Sequence, residues 1–339
     1  MKFKKIAALS TAVIMSASML VGCGNNKSKE NTDKSFKIGM VADIGGINDE
    51  SFNQSAWEGL QKAEKDFGIE VKVIESKQAS EYLQNMESLL DEDVDMVIGV
   101  GYTMKEDIEK QAKNYPDKQF VLIDETYDSI PENVTPILFR ENEAAYLTGL
   151  VAGKMTENNN VGFIGGIQTP VISRFEYGYK AGVKEANKDC NVNVQYAGTF
   201  SDAAKGKSIA NQMYGNGSDI ILAAAGGTGL GSIESAKEQN KYAIGVDRDQ
   251  SDLAPKNVLT SALKKVNVGV YDTVKEFIEG KLKGGQEKVY GLKEDGVGIP
   301  ETTKNLVSQE IIDYVNSMIE KIKNDEIKVP VTEEEYKSM

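Results

Sequence analysis

The chain of 339 residues is 40% hydrophobic and 27% charged, which is enough length and apolar content for two domains with buried cores and excludes a disordered or fibrous protein. Its 52 acidic residues outnumber the 39 basic ones, and the resulting net charge of −13 opposes binding to nucleic acid. The sequence contains no histidine, so a Ser-His-Asp triad and a histidine-ligated metal site are excluded.

The first predicted element is a lipoprotein signal peptide over residues 1–22. Lysines in MKFKK precede the apolar run IAALSTAVIMSASMLV, which is shorter than the roughly 20 residues that a membrane-spanning helix needs. The run ends in LVGC, which resembles a bacterial lipobox, so we expect cleavage before Cys23 and a lipid on its thiol. A plain secretory signal with a chance cysteine is the alternative. Lipidation of Cys23 leaves only Cys190, so an internal disulfide is not expected.

A polar tether over 23–35 separates this segment from the folded part, which is predicted to begin near Phe36. From there, short β-rich apolar runs alternate with helical patterns, as is typical of βαβ units and of a mostly parallel sheet covered on both faces. The first series contains, in chain order, the strand FKIGMVAD, a helix over about 52–67, the strand VKVIES, a helix over about 80–91, the strand DMVIGVG, a helix over about 103–114, and the strands FVLID and TPILF.

A second series follows the helical stretch NEAAYLTGLVAGKMTE. It contains the strand NVGFIGGI, a helix over about 172–187, the strand VNVQYAGTF, a helix over about 202–214, the strand DIILAAAG, a helix over about 229–239, and the strands YAIGVD and VLTSAL. Twisted open sheets rarely exceed about ten strands, so two lobes of five or six strands are predicted rather than one sheet. We assign 36–141 with about 267–284 to the first lobe, about 142–266 with about 285–330 to the second, and 331–339 to a C-terminal tail.

Most candidate binding residues follow the carboxyl ends of the predicted strands. Ligands of open α/β sheets bind at this edge, where polar loops and helix N-termini converge. In the first series, Asp43 and then DESFN follow the first strand, and Asp124 follows FVLI. In the second series, Asp247 follows YAIGV and Lys264 follows VLTSAL. If the two lobes face each other, these groups share one cleft.

Ordinary structural roles compete with binding at several of these positions. Helix capping is the competing role of Asp43 and Asp49, and core packing is that of Phe52 and Phe175. The run GGTGLG over 226–231 invites comparison with a dinucleotide-binding turn, but its spacing is not G-x-G-x-x-G. No G-x-x-x-x-G-K-[ST] phosphate loop occurs either. A tight turn that approaches a small ligand is favoured, and no cofactor is predicted.

The charges at this edge favour a neutral ligand. Three carboxylates against one ammonium group would repel an anion. Each carboxylate can accept two hydrogen bonds from a vicinal diol, which suits a polyhydroxylated ligand. Two phenylalanines, one from each lobe, could sandwich a flat ring with about 1–3 kcal/mol per stacked face. A flat ring that carries a diol is a nucleoside.

Several long motifs extend this interpretation over about 36–323. They are DIGGINDESFNQSAWEGL, FVLID, AAYLTGLVAG, VGFIGGIQTPVISRFEYGYKAG, GTFSDAAKGKSIANQMYGNGSDIILAAAGGTGLG, AIGVDRDQ and VLTSALKKV. In this order they resemble the basic membrane protein family of substrate-binding lipoproteins, the purine nucleoside receptor A-like proteins that serve ABC transporters. The resemblance implies an α/β fold of the type I periplasmic-binding-protein class, with two Rossmann-like lobes of mostly parallel sheets around a central cleft.

The resemblance also implies ligand-binding roles for nine residues. Phe52 and Phe175 would stack on the two faces of the base. Asp43 and Asn53 would contact the polar edge of the base. The remaining five would contact the ribose, through their side chains or through a closely approaching backbone: Asp124, Asp247, Lys264, Gly226 and Gly227.

The implied function is that of a monomeric receptor held on the extracytoplasmic face of the cell membrane by the lipid on Cys23. It would bind a nucleoside, most simply a purine nucleoside, and pass it to an ABC transporter permease, with no metal, cofactor or nucleic acid involved. One alternative is a binding protein for another neutral ligand, such as a sugar, an autoinducer-like furanose or a nucleobase, that feeds a transporter or a sensor. Another is an extracellular enzyme, such as a nucleoside hydrolase that uses clustered aspartates.

Overall fold

The computed structural model describes residues 36–339, and within that range twelve strands form two six-stranded sheets. The predicted signal peptide, Cys23 and the tether over 23–35 lie outside the described residues. The strands are β1 (Lys37–Ala42), β2 (Glu70–Glu75), β3 (Met96–Val100), β4 (Gln119–Ile123), β5 (Val134–Phe139), β6 (Asn160–Gly165), β7 (Asn191–Tyr196), β8 (Ile220–Ala224), β9 (Tyr242–Asp247), β10 (Val258–Lys264), β11 (Lys288–Tyr290) and β12 (Val297–Gly298).

Both sheets arrange their strands in the same order. The first sheet runs β11-β5-β4-β3-β1-β2, and the second runs β12-β10-β9-β8-β6-β7. Every neighbouring pair is parallel except β10 and β12. In each sheet the chain winds one way to β2 or β7 and then reverses, so a topological switch point lies between β1 and β3 and between β6 and β8. We call the part of the chain built on each sheet the first and the second lobe.

The described residues also form ten α-helices. They are α1 (Phe52–Phe67), α2 (Tyr82–Asp91), α3 (Lys105–Asn114), α4 (Glu141–Met155), α5 (Pro170–Ala186), α6 (Ala203–Gly215), α7 (Gly227–Gln239), α8 (Val266–Ile278), α9 (Gln309–Lys323) and α10 (Glu333–Lys337). The helix predicted over 267–284 ends at Ile278, because Gly280 adopts a left-handed φ of 67° that terminates it. Among residues 36–339, none of the helices is both long and apolar enough to cross a membrane.

The helix α4 is buried on nearly every side, which explains why AAYLTGLVAG is apolar without a helical period. It packs closely on α5: a Cβ placed on Gly182 would lie only 2.0 Å from the backbone oxygen of Tyr146. Side chains of any size at this position would push the two helices apart. The close contact fixes α5, so that its N-cap residue Thr169 and Phe175 in its second turn lie at the edge of the second sheet.

Two late segments return to the first lobe. The helix α8 contacts α1, where the amide of Asn267 donates to Ser55 Oγ over 3.2 Å. The strand β11 then pairs in parallel with β5, although 285–330 is predicted to belong to the second lobe. Without β11, the backbone groups of β5 would form an open sheet edge, and pairing with a late strand satisfies them. The strand β12 extends the second sheet at β10.

Candidate functional site

A cavity of about 80 Å³ lies where the carboxyl ends of the two sheets face each other. Since one water occupies about 10–15 Å³ by the same measure, the cavity admits a small molecule rather than a macromolecule. All nine residues predicted for ligand binding line it: Asp43, Phe52, Asn53, Asp124, Phe175, Gly226, Gly227, Asp247 and Lys264. Most of these residues were chosen because they follow the carboxyl ends of predicted strands, and the fold brings them together from both lobes.

Asp43 follows β1 at the switch point of the first sheet, and Asn53 orients it. Asn53 Oδ1 accepts from the amide of Asp43 over 3.0 Å, and Asn53 Nδ2 donates to Asp43 Oδ1 over 2.8 Å. The amide of Gly45 also donates to Asp43 Oδ1, so Oδ2 is left for a ligand. Burial raises the pKa of Asp43 to about 6, against the opposing effect of the bonds from Gly45 and Asn53.

The Asn53 amide is largely occupied by protein groups. Its second Nδ2 hydrogen donates to Asp49 Oδ2 over 3.0 Å, in addition to the bonds with Asp43. Asp49 in turn caps the first turn of α1 by accepting from the amides of Ser51, Asn53 and Gln54 at 2.9 to 3.1 Å. Helix capping, the competing role considered for Asp49, is confirmed, although the side chain also borders the cavity.

Asp124 and Lys264 form a buried ion pair that joins the two lobes. The Lys264 Nζ donates to Asp124 Oδ2 and lies 4.6 Å from the centre of the Phe52 ring. Asp124 Oδ1 has no hydrogen-bond partner among the described residues. A buried carboxylate oxygen without a donor is costly, so this atom is well placed to accept a hydrogen bond from a ligand.

Asp247 ends β9 and faces the same cavity. Its Oδ2 accepts from Ser51 Oγ, which belongs to the first lobe. Burial raises the pKa of Asp247 to about 7, although the nearby Lys264 ammonium and the Ser51 hydroxyl oppose the rise. Asp247 and Asp124 both adopt left-handed backbone conformations, with φ of 64° and 73°. Such conformations cost about 1–3 kcal/mol in a residue other than glycine and concentrate at ligand sites.

Aromatic rings reach the cavity from both lobes. Phe52 is the first residue of α1, and Phe175 lies on α5, where it is buried. Two further rings, Tyr102 and Phe200, line the cavity but were not among the predicted site residues. Tyr102 follows the carboxyl end of β3, and Phe200 follows that of β7. A search for aromatic residues after strand ends would therefore have found both.

The glycine-rich run begins α7 beside the cavity. Gly226 precedes the helix with a φ of 53°, a conformation that glycine adopts without strain. Further along, a Cβ on Gly231 would lie 1.9 Å from the backbone oxygen of Ala203, so this glycine permits α6 and α7 to pack. The run thus combines a tight turn at Gly226 and Gly227, next to the cavity, with a helix contact at Gly231.

A second cavity of about 210 Å³ adjoins the first and shares Asp124 and Thr169 with it. Arg174 lines this second cavity, and its Nε donates to Glu141 Oε1 over 2.6 Å. Glu141 is fully buried, and its Oε2 has no partner among residues 36–339. Burial raises the pKa of Glu141, while the Arg174 and Lys264 cations oppose the rise. Sequence reasoning missed this pair because its partners lie 33 residues apart on different helices.

The fold and the cavity together define a solute-binding protein. Two α/β lobes meet at a cavity that contains aromatic rings from both sides, buried carboxyl groups and one ammonium group. In the part of the chain that the structure describes, no three His, Cys, Asp or Glu side chains are placed to hold a metal ion. This arrangement is suited to holding and releasing a small polar molecule.

The chain belongs to the Bmp family, the PnrA-like ABC transporter substrate-binding proteins, whose model matches residues 36–333. The predicted family and fold class are therefore confirmed. The protein is a substrate-binding protein and not an enzyme, which excludes the nucleoside hydrolase alternative. Substrate-binding proteins of ABC transporters work on the extracytoplasmic side of the membrane, so this location applies to the chain as well.

Similar proteins match along nearly the whole chain. The CD4+ T-cell-stimulating antigen of Listeria monocytogenes is 39% identical, covering 96% of this chain and 99% of that protein. The ABC transporter nucleoside-binding protein BmpA of Lactococcus lactis subsp. cremoris is 38% identical, covering 93% and 98%. Among solved structures, an ABC transporter solute-binding protein from Aeropyrum pernix K1 has a TM-score of 0.82 at 27% identity, covering 89% of this chain and 96% of that one.

Proposed function

We propose that the protein captures purine nucleosides between its two lobes and delivers them to an ABC transporter permease. The convergence of Phe52 and Phe175, from opposite lobes, on a cavity that also contains Asp124, Asp247 and Lys264 supports this proposal most directly. Rings on both sides suit a flat base, and carboxylates suit the hydroxyls of a ribose. The relative from Lactococcus is named a nucleoside-binding protein, which agrees with this ligand class.

The hydrogen-bonding state of each group supports a division of roles. Asp43 lines the cavity and would contact the polar edge of the base through Oδ2, while Asn53 holds Asp43 in place. A carboxyl with a pKa of about 6 can donate or accept near neutral pH, which suits a purine edge that presents both kinds of group. Asp124 Oδ1 accepts from a ribose hydroxyl and so gains the donor that the protein does not supply.

The anchor and the transporter partner complete the proposal. A lipid on Cys23 and a polar tether over 23–35 would keep the folded part close to the membrane, within reach of a permease. Closure of the two lobes on the ligand would give the permease a closed form to recognise, because contacts from both lobes to one ligand form only when the lobes meet. The protein acts as a monomer in this scheme.

Isothermal titration calorimetry on the ligand-free protein tests the ligand class. Adenosine, guanosine and inosine are compared with ribose and with the corresponding 2′-deoxynucleosides, which lack the diol. Tight binding of the ribonucleosides and weaker binding of the deoxy forms is expected. Heat with ribose or a free base, but none with any nucleoside, would favour a receptor for a different neutral ligand.

The Phe52→Ala variant tests the proposed stacking on the base. Loss of one stacked face should weaken nucleoside binding by about 1–3 kcal/mol, or about 5- to 150-fold in Kd, without weakening ribose binding. Phe67→Ala is the matched control: Phe67 ends the same helix and stacks on Tyr271, with ring centroids 5.4 Å apart. Equal nucleoside affinities for the two variants would contradict the stacking role of Phe52.

A further inference from the structure

Arg248, the residue after the cavity-lining Asp247, connects the two lobes. It follows β9 in the second lobe, and its guanidinium contacts two glutamates of the first lobe. The Nη1 atom lies 2.7 Å from Glu50 Oε2, and the Nη2 atom lies 2.7 Å from Glu58 Oε1. Glu50 precedes α1 and Glu58 lies on α1, so one arginine holds both the start and the body of this helix.

The amide, the carbonyl and the carboxylate of Glu50 each have a hydrogen-bond partner. Its backbone has a left-handed φ of 51°, a conformation that a residue other than glycine keeps only when its surroundings impose it. Its amide donates to Gln54 Oε1 over 3.1 Å, and its carbonyl accepts from Gln250 Nε2 over 2.8 Å. With Arg248 on the carboxylate, two of these three contacts come from the second lobe. Contact between the lobes therefore helps to hold Glu50 in its conformation.

The same contacts reach the cavity through the next two residues. Ser51, which follows Glu50, donates through Oγ to Asp247, the residue before Arg248. Phe52 comes next, begins α1 and lines the cavity. The positions of Phe52 and Asp247 at the cavity thus depend on how the loop before α1 meets the loop after β9.

We propose that Arg248, Glu50 and Glu58 form an electrostatic latch that is made when the lobes close and that slows the release of the bound ligand. Arg248 is a positioning residue: it acts through Glu50 on Phe52 and does not contact the ligand. The inference rests on the proposed function, because a latch on release requires a ligand that is captured by closure. Because the arginine and the two glutamates belong to different lobes, a movement that separates the lobes at this edge breaks both contacts.

The latch predicts a specific change in ligand kinetics. The Arg248→Gln variant should release adenosine about 5- to 30-fold faster than the wild type, with the association rate changed by less than about twofold. Arg248 is 24% exposed, so salt should screen the pairs and accelerate release from the wild type but not from the variant. Glu58→Gln, which removes one of the two ion pairs, should give an intermediate release rate.

Lys207→Gln is the matched control for these rates. Lys207 also lies between two glutamates, 3.1 Å from Glu234 and 2.9 Å from Glu238, but all three belong to the second lobe. Its replacement should leave release unchanged. If Arg248→Gln releases adenosine as slowly as the wild type and Lys207→Gln do, the latch is overturned. The proposal that the protein binds nucleosides would not be affected by that result.

A ligand-independent measurement separates the latch from the proposed function. Cysteines for spin labels are introduced by Lys110→Cys on α3 and Lys237→Cys on α7, in a protein whose Cys23 and Cys190 are replaced by serine. Pulsed electron paramagnetic resonance then reports the distance between the lobes in the free protein. Arg248→Gln should shift the distribution towards longer distances. If no nucleoside binds the wild type, the proposed function fails, and this distribution still decides the latch, because an unchanged distribution would overturn it.

Discussion

Replacement of Asp247 by asparagine should stabilise the ligand-free protein above neutral pH. The Asp247 carboxyl is buried at the end of β9, and burial raises its pKa to about 7 against the effects of Lys264 and Ser51. Asparagine keeps the shape, tolerates the left-handed backbone and retains an oxygen for the Ser51 hydroxyl. It removes only the charge, so the variant isolates the cost of ionising a buried acid.

The magnitude follows from the difference between the ordinary pKa of 3.8 and the value of about 7 in the folded protein. At about 1.4 kcal/mol per pKa unit, this difference corresponds to about 4 kcal/mol. The unfolded chain loses the proton near pH 4, whereas the folded protein keeps it up to about pH 7. Between these values the folded state binds more protons, so the free energy of unfolding falls as the pH rises.

Above pH 7, Asp247→Asn should therefore exceed the wild type in free energy of unfolding by up to about 4 kcal/mol, and the two should converge near pH 4. Urea denaturation of the ligand-free proteins between pH 4 and pH 8.5, followed by circular dichroism, measures this difference. In both proteins, the free energy of unfolding should fall further, by about 3 kcal/mol, as the pH rises, because burial also raises the pKa of Asp43, to about 6.

Asp249→Asn is the control for this experiment. Asp249 lies two residues further along the same loop, is exposed, and accepts from Thr302 Oγ1 over 2.7 Å. Its replacement should leave the pH dependence of the wild type unchanged. Parallel curves for the wild type and Asp247→Asn between pH 5 and pH 8 would show that ionisation of Asp247 does not destabilise the folded protein. Nucleoside binding by Asp247→Asn should be weaker at every pH if the side chain holds the ribose.

Three further predictions concern the ion pair, the helix packing and the anchor. Lys264→Met leaves Asp124 buried without its partner and should lower the free energy of unfolding by about 3–5 kcal/mol in urea denaturation, and adding Asp124→Leu should recover most of this loss. Gly182→Ala forces a Cβ against the backbone of α4 and should cost about 1–3 kcal/mol, whereas Gly215→Ala, with open space around it, should cost nothing measurable. Cys23→Ser should move the protein from the membrane fraction to the soluble fraction on cell fractionation, and retention at the membrane would contradict lipid anchoring.

Much of the site was predictable because it depends on local rules. Parallel strands end at one edge of a sheet, so the residue after each strand is placed by the strand itself, as with Asp43 after β1 and Asp124 after β4. The helix α1 spans the predicted residues because an apolar helical period runs from Phe52 to Phe67 and Gly68 ends it with a φ of 67°. These signals lie within a few residues of the feature that they predict.

The hydrogen-bonding roles within the site were not predictable. The resemblance implies that Asn53 contacts the base, and the structure adds hydrogen bonds from its amide group to Asp43 and Asp49, which the sequence does not indicate. An asparagine offers the same groups to a ligand or to a carboxylate, and the sequence contains no signal that distinguishes them. The raised pKa values of Asp43 and Asp247 likewise depend on how completely neighbouring elements exclude water.

Two series of strands and helices, the polar edge at which the strands end, and the family all follow from the sequence, since periodicity and motifs are local properties of the chain. The pairing of β11 with the first sheet depends on tertiary folding, and so do the contacts of Arg248 with Glu50 and Glu58, partners that lie 198 and 190 residues away. Contacts between residues so far apart in the chain depend on how the two folded lobes pack against each other. Surface arginines and glutamates carry no pattern that identifies their partners in advance.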